Sequence, residues 1–234
     1  MNKFVLESDA PGVTRVEVHL KRSAQAKRLS LRVSQLDGRV TLTLPHHASE
    51  AEATGFIREK ATWLRSHVAR FDAEKPVGLG SLLPLEDQMI RILPGQGRRP
   101  RLVAEGLEVP GRPEAAGARV AAFLKEAARD RLTAASDHYA ALLGRPFTSL
   151  SLRDTRSRWG SCSSKGALMY SWRLVMAPPD ILRYVAAHEV AHLAEMNHSA
   201  AFWARVQELY GPYRSAREWL RHHGAELHKY RFAG

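Results

Sequence analysis

The feature that most constrains the fold is the stretch HEVAHLAEMNHSAAFW, from His188 to Trp203, which places three histidines within eleven residues. His188 and His192 are four residues apart, and on an α-helix this separation puts both imidazoles on one face, one turn apart. Glu189 directly follows the first of them. The pattern H-E-x-x-H on a helix is typical of two zinc ligands and a glutamate that acts as general base on a water molecule. The segment therefore predicts a helix that carries part of a metal site.

A third metal ligand is expected close to this pair, because a catalytic zinc usually has three protein ligands and one open position. His198 follows His192 by six residues, and Asn197 before it can take the left-handed conformation in which a helix ends and the chain reverses. We therefore expect the helix to end at Asn197 and His198 to complete the site. Glu195 is the alternative ligand, because a residue three positions after His192 lies on the same helix face.

The remaining cysteine and histidines narrow the kind of metal site. Cys162 is the single cysteine, which excludes an intramolecular disulfide and a Cys-rich zinc knuckle, and we expect it to be a small buried residue. His222 and His223 are adjacent on a basic C-terminal helix and are expected to be solvated. Zinc is preferred to nickel, cobalt or manganese on availability and geometry, because three imidazoles accept all of these metals.

The N-terminal part of the chain is expected to be mainly strands. Alternating apolar and polar residues predict strands at residues 13–20, in RLSLRV and in RVTLTLP, and Asp37-Gly38 predicts a hairpin turn between the last two. From Ala48 to Phe71 the apolar residues follow helical spacing instead. Short strands are then expected at residues 89–93, 102–104 and 107–109.

A change in pattern divides the chain. Prolines and glycines at residues 109–117 mark a weak boundary, after which helices dominate. An alanine-rich helix is expected over residues 118–143, with Gly144 as its stop. We therefore expect an N-terminal β-rich region with one helix over residues 1–112 and a catalytic domain over residues 113–234.

The second half surrounds the histidine helix with short strands. Strands are expected at residues 150–153 and 168–174, on either side of a polar segment. Asp180 is expected to be the N-cap of the helix that carries the histidines, which should run from Ile181 to about Met196. Ser199 is expected to be the N-cap of the helix that follows.

The run RSRWGSCSSKGALMYSWRLVMAPPDILRYVAAHEVAHLAEMNHSAAFW resembles the YgjP-like family of bacterial proteins, a branch of the zinc metallopeptidases related to the SprT-like and WLM groups. The resemblance extends over most of the chain and is most specific from Arg156 to Trp203. It implies that His188, His192 and His198 bind one zinc ion. It also implies that Glu189 is the general base of a peptidase that cleaves peptide bonds with a zinc-activated water.

The resemblance also implies an α+β fold. The expected catalytic domain is small and zincin-like, with a mixed sheet packed over the H-E-x-x-H helix and an edge strand able to hold an extended peptide, and a β-rich region precedes it. Two positions depart from related patterns. Ser171 stands where the family usually has Asn, and Glu195 stands where metzincins have Gly, which argues against a metzincin proper.

A basic segment adjoins the expected metal site. Between Arg145 and Arg173 there are six basic residues and one acid, and Arg156 and Arg158 are expected to face the site if the SRWGSCS segment lies near the metal. Guanidinium groups bind phosphate through two parallel hydrogen bonds, so these arginines would also suit a phosphate-bearing substrate. Tyr213 is a candidate hydrogen-bond donor to an oxyanion.

Three functions therefore remain open from the residues. The first is a zinc-dependent metallohydrolase that cleaves peptides or proteins. The second is a metal-dependent phosphohydrolase acting on nucleotides, and the third is a DNA-associated protease or nucleic-acid-binding protein, which the net charge of +11 would favour. No membrane partner is expected, because no apolar run is long enough to span a bilayer. Since the N-terminal residues also lack the apolar stretch of a signal peptide, we expect a cytoplasmic protein.

Overall fold

The computed structural model describes residues 3–6, 15–34, 38–68 and 74–232. The chain forms two compact units, Met1–Glu74 and Lys75–Gly234. The boundary expected between residues 112 and 113 falls inside the second unit, because strands that precede it pack against helices that follow it. Strands and helices are mixed throughout, which confirms the α+β prediction.

The first unit contains a four-stranded sheet in the order β1-β2-β4-β3. Its strands are β1 (Lys3–Leu6), β2 (Val16–Arg22), β3 (Ser30–Val33) and β4 (Val40–Leu44). β3 and β4 pair antiparallel, which confirms the predicted hairpin pairing. Asp37, at the predicted turn, lies outside the described residues.

Two short helices follow the sheet: α1 (Glu50–Glu59) and α2 (Ala61–Val68). Ser49 and Glu52 form a capping box that fixes the start of α1. The prediction of one continuous helix from Ala48 is therefore wrong within the described residues, because the helix is interrupted at Lys60. The predicted end at Phe71 lies outside the described residues. Apolar residues of both helices and of the sheet form the core of this unit.

The second unit contains a four-stranded sheet, a three-stranded sheet and a pair of short strands. The four-stranded sheet has the order β6-β7-β9-β8, with β6 (Leu82–Leu85), β7 (Gln88–Gly95), β8 (Arg101–Val103) and β9 (Gly106–Pro110). The pair joins β5 (Lys75–Pro76) to β13 (Tyr230–Arg231) near the C-terminus. The strands predicted at residues 89–93, 102–104 and 107–109 correspond to β7, β8 and β9.

The three-stranded sheet is the one that matters for the site. It has the order β10-β12-β11, with β10 (Ser149–Arg153), β11 (Gly160–Cys162) and β12 (Ala167–Ser171). β12 pairs parallel with β10 and antiparallel with β11, so the sheet is mixed and β11 forms one edge. A 3₁₀ helix, Trp172–Met176, replaces the end of the strand that was predicted to reach residue 174.

Four α-helices complete the second unit: α3 (Ala116–Leu143), α4 (Pro179–Ala191), α5 (Ala200–Tyr210) and α6 (Arg214–Leu227). A short 3₁₀ helix, Pro113–Ala115, leads into α3. Gly144 ends α3 in the left-handed conformation (φ 69°), which confirms its predicted role as the stop. No helix in the described part of the chain is both long enough and apolar enough to cross a membrane.

α4 lies in the core of the second unit, and its bounds differ from those predicted. Pro178 is the N-cap and Pro179 the first helical residue, so the prediction that Asp180 is the N-cap is wrong. Proline suits this first position because its φ is already helical and its missing N–H is not needed there. The helix ends at Ala191, five residues before Met196, so the predicted end is also wrong.

Candidate metal centre

Three histidines converge where α4 ends and α5 begins. His188 lies in the last turn of α4, His192 is the residue that ends the helix, and His198 lies in the turn before α5. One ring nitrogen from each histidine can be chosen so that all three lie within 4.8 Å of one another. The Nε2 atoms of His188 and His198 are 3.1 Å apart. The structure thus brings together the three residues that the sequence predicted.

The turn that returns His198 to the other two is tighter than predicted. After Ala191 the backbone N–H groups of Leu193 and Ala194 donate to carbonyls three residues earlier, which tightens the last turn of the helix. The guanidinium of Arg145, in the segment after α3, donates to the Leu193 carbonyl at 2.7 Å. These contacts fix the path of the chain between the second and third histidines.

Asn197 does not take the left-handed conformation that the sequence suggested. Among the described non-glycine residues, positive φ occurs at Glu86 and Asp87. The Asn197 side chain instead accepts a hydrogen bond from the Ser199 backbone N–H at 3.2 Å. Ser199 in turn accepts from Phe202 N–H, which confirms it as the N-cap of α5. The reversal therefore begins at Ala191, and Asn197 supports the start of the next helix.

The orientation of the His192 ring is set by a backbone carbonyl. Its Nδ1 lies 2.9 Å from the Glu195 carbonyl oxygen, and because a carbonyl only accepts, Nδ1 carries the proton. The Nε2 of His192 is then the nitrogen with a free lone pair. Phe202, which is fully buried, stacks on this ring with centroids 4.4 Å apart and meets the other two histidines edge-on.

Burial favours the neutral form of His188 and His192. It lowers the pKa of His188 to about 3, with further lowering from the neighbouring histidines and Arg217, and it also lowers the pKa of His192. The His188 Nδ1 atom is buried without a hydrogen-bond partner in the described part of the chain. Neutral imidazole is the form that binds metal ions, and three histidine nitrogens within 4.8 Å of one another fit the donor set of a single zinc.

Glu189 lies beside the histidines and against the edge strand β11. Its side chain is 5% exposed, and a Cβ placed on Gly160 would stand 2.6 Å from its Cγ and Oε1. Burial raises the pKa of Glu189 to about 8, against the opposing charge of Arg158. The carboxyl group is therefore held in a largely desolvated position, on the residue that directly follows His188 in α4.

The candidate substrate-binding residues are placed differently from one another. The charge of Arg158 opposes the rise in the pKa of Glu189, whereas the charge of Arg156 helps to lower the pKa of Asp154. Tyr213, just before α6, stacks on the ring of Trp203 with centroids 4.9 Å apart. The Trp203 ring is in turn 5.7 Å from that of His188, so Tyr213 stands one aromatic ring away from the histidines.

The other residues considered as ligands lie outside the cluster. The cluster of His, Cys, Asp or Glu groups found among the described residues contains neither the Glu195 carboxylate nor the exposed His222 and His223. Cys162 is half-buried, and burial together with the charge of Glu189 raises the pKa of its thiol to about 11. Ser171 is fully buried, and its hydroxyl has no hydrogen-bond partner within the described residues.

Sequence reasoning missed several residues that surround the cluster. Tyr184 lies on α4 one turn before His188 and packs edge-on against it, a spacing that the sequence does contain. Arg217 lies over the Trp203 ring at 4.8 Å, and Arg145 holds the turn after α4. The last two contacts join segments distant in sequence, so no local pattern could have indicated them.

A mixed α+β unit with an H-E-x-x-H helix and a third convergent histidine defines a metallopeptidase-like protein. The family model for the YgjP-like metallopeptidase domain matches residues 27–223. The chain therefore belongs to the YgjP-like family, as its sequence suggested. Membership implies a hydrolase with a peptide or protein substrate, and it does not support a nucleic-acid partner.

Comparison with solved structures gives a match to the crystal structure of the metallopeptidase zymogen of Pyrococcus abyssi abylysin. The two chains are 23% identical, and the match covers 37% of this chain and 86% of the other, with a TM-score of 0.34. No curated protein matches the sequence.

Proposed function

We propose that this protein is a zinc-dependent peptidase in which His188, His192 and His198 hold one Zn²⁺ ion. Glu189 is the general base in this proposal. The observation that supports it most is the convergence of three imidazole nitrogens within 4.8 Å, beside a buried glutamate on the same helix. Three protein ligands leave a fourth position for water or substrate, as in catalytic rather than structural zinc sites.

A bound zinc ion supplies Lewis acidity, which acidifies water and polarises a substrate carbonyl. Glu189 accepts the proton of the attacking water on a carboxylate oxygen and later donates it to the leaving nitrogen. The pKa of about 8 that burial gives Glu189 falls once a cation is held nearby, which makes the carboxylate available near neutral pH. Gly160 lies against the same side chain, at a point where a Cβ would collide with it.

The edge strand β11 offers a place for the substrate backbone. β11 pairs with β12 on one side and forms the edge of its sheet on the other. An extended peptide can add to such an edge through main-chain hydrogen bonds. Because Gly160 in β11 contacts Glu189, a peptide bound along this strand would place its backbone close to the general base.

The nucleotide phosphohydrolase remains a second proposal with less support. It rests on the expectation that arginines face the site. Of the two candidates, Arg158 is the one whose charge lowers the pKa of Glu189, while the charge of Arg156 lowers the pKa of Asp154. Phosphate release from nucleoside triphosphates by the zinc-loaded protein would support it, provided that Arg158→Ala reduces the rate. A DNA-associated role would require binding to short DNA that weakens steeply as salt rises.

Hydrolysis of fluorescently labelled casein tests the peptidase proposal. The protein is stripped with a chelator and reloaded with zinc, and the rate is compared for the wild type, Glu189→Gln and the control Glu195→Gln. Loss of a general base costs about 10²–10⁴-fold in rate. We expect the rate of Glu189→Gln to fall by at least about 10²-fold. The rate of Glu195→Gln should stay near that of the wild type, and the stripped protein should be inactive. A fully active Glu189→Gln variant would contradict the assigned role.

A further inference from the structure

A positively charged side chain, Arg217, lies on an aromatic ring beside the histidine cluster. The Arg217 guanidinium lies 4.8 Å from the centroid of the Trp203 ring. That ring is 5.7 Å from His188 and 5.8 Å from His198. The Tyr213 ring stacks on Trp203 and is parallel to Tyr184. A chain of aromatic contacts thus joins Arg217 to the cluster.

Arg217 has no acidic partner in the part of the chain that the structure describes, and its side chain is exposed. Several other exposed arginines are paired, for example Arg205 with Glu208 and Arg131 with Glu86. An unpaired cation at this position favours an anionic group of the substrate.

The rings of Trp203 and Tyr213 also line a groove. Its volume is about 600 Å³, and its lining includes Trp203, Tyr213, Gln207 and Arg214. The groove is therefore large enough for one or more amino-acid side chains, and its lining combines aromatic rings with polar and charged groups. Arg214 is exposed and, like Arg217, has no ion-pair partner among the described residues.

We propose that Arg217, supported by the ring of Trp203, binds a carboxylate of the peptide substrate close to the scissile bond. The guanidinium fork matches a carboxylate through two parallel N–H···O bonds, and a neutral amide cannot reproduce this. Stacking on an aromatic ring restricts the guanidinium and reduces the conformational entropy lost on binding. The proposal rests on the peptidase function and specifies its substrate class: peptides with an acidic side chain, or a free C-terminal carboxylate, at that position.

The test measures binding and cleavage separately. The zinc-loaded Glu189→Gln variant is titrated into fluorescein-labelled, C-terminally amidated hexapeptides of Ala and Gly that carry a single Glu or a single Gln at each position in turn. A second set compares the neutral Ala-Gly peptide with a free and with an amidated C-terminus. The first set tests an acidic side chain and the second tests a terminal carboxylate. Fluorescence polarisation gives the dissociation constants.

We expect one of the two sets to show about tenfold or tighter binding of the carboxylate peptide over its amide partner, as a charged hydrogen-bonded pair provides. Arg217→Ala should abolish this preference and Arg217→Lys should restore part of it, because lysine keeps the charge without the fork. Arg205→Ala, which removes one positive charge from α5, should leave the preference unchanged. No preference in either set, or a preference that survives Arg217→Ala, would overturn the proposal.

Cleavage by the active enzyme separates this inference from the peptidase function. Equal kcat/KM for Glu and Gln peptides, with zinc-dependent hydrolysis of both, would overturn the carboxylate proposal and leave the peptidase intact. A wild type that hydrolyses no peptide would contradict the peptidase, while the polarisation measurements would still decide whether Arg217 binds a carboxylate. In the expected case, Arg217→Ala lowers kcat/KM for the Glu peptide by a larger factor than that for its Gln partner, so that the preference for the Glu peptide is lost.

Discussion

Gly160 lies directly against the side chain of Glu189, so that a Cβ at Gly160 would stand 2.6 Å from both Cγ and Oε1 of the glutamate. Gly160 is in the edge strand β11 and Glu189 is in α4, so this contact joins the sheet to the helix that carries the histidines. Contacts this short do not occur for real Cβ atoms. A glycine is therefore required for the strand to approach the proposed general base so closely.

Replacing Gly160 with alanine should displace the Glu189 carboxylate. The φ of Gly160 is not in the left-handed region, so alanine fits the backbone and its effect is steric. Because a misplacement of about 1 Å costs about 10²-fold in rate, we expect a fall of that size in kcat/KM for peptides, with bound metal unchanged. Gly78→Ala, at a position with open space, is the matched control. Wild-type activity in Gly160→Ala would show that the contact does not position the glutamate.

Removal of the Glu195 carboxylate should not affect metal binding. The carboxylate is outside the histidine cluster, while the backbone carbonyl of Glu195 orients His192. Glu195→Ala keeps that carbonyl, so zinc affinity measured by competition with a chromophoric chelator should stay within about threefold of the wild type, well short of the 10–100-fold loss expected when an orienting contact is removed. His192→Ala is the positive control. A comparable loss of affinity in both variants would identify Glu195 as a ligand.

The buried Arg173 guanidinium depends on Asp154. Arg173 is 5% exposed and forms two hydrogen bonds with the Asp154 carboxylate, at 2.7 and 3.1 Å, while its Nη1 donates to the carbonyls of Leu227 and Tyr230. Asp154→Asn leaves a buried cation without its counter-charge. We expect the free energy of unfolding to fall by about 2 kcal/mol, below the usual range for such a pair because Asp154 is partly exposed. Chemical denaturation measures this, with the exposed Glu208→Gln as control.

The same pair should make stability depend on pH in acid solution. Burial raises the pKa of Asp154, but the hydrogen bonds and charge of Arg173 outweigh it and leave the pKa below its usual value. The stabilisation is therefore complete above the unfolded-state pKa of about 3.9 and is lost as the pH falls through the lower folded-state pKa. The difference in unfolding free energy between wild type and Asp154→Asn should be constant from about pH 7 to pH 5 and shrink below about pH 4. A difference that grows in acid would contradict this account.

The Cys162 thiol should be unreactive in the folded protein. Burial and the charge of Glu189 raise its pKa to about 11, and the thiolate is the nucleophile, so few molecules are reactive at pH 8. Alkylation by iodoacetamide at that pH should be about 100-fold slower in the native protein than in concentrated guanidinium chloride. Similar rates in both conditions would show that the thiol is exposed and ionised more readily than its position indicates.

The parts of the site that sequence predicted are those fixed by local geometry. The four-residue spacing of His188 and His192 places both rings on one helix face whatever surrounds the helix. Ser199 as an N-cap and Gly144 as a helix stop also follow from local hydrogen bonding and backbone freedom, and the structure confirms both. Alternation likewise located most strands of the described residues, because each sheet buries one face.

The parts that sequence did not predict depend on tertiary contacts. The end of α4 at Ala191 involves a tight turn held by Arg145 from a distant segment, whereas helical propensity alone would have continued the helix. The contact of Arg217 with the Trp203 ring joins α6 to α5, and no periodicity within one helix indicates such a contact. Sequence spacing also failed to predict the interruption of the helix at Lys60 in the first unit, because the apolar spacing continues through that position.

Metal content tests the central claim most directly. Elemental analysis is made on protein purified without a histidine tag and supplied with zinc, for the wild type, Glu189→Gln and His198→Ala. The three-histidine site predicts about one equivalent of zinc in the wild type and in Glu189→Gln, with loss of the metal in His198→Ala. A wild type without bound metal, or a His198→Ala variant that retains a full equivalent, would contradict the proposed centre.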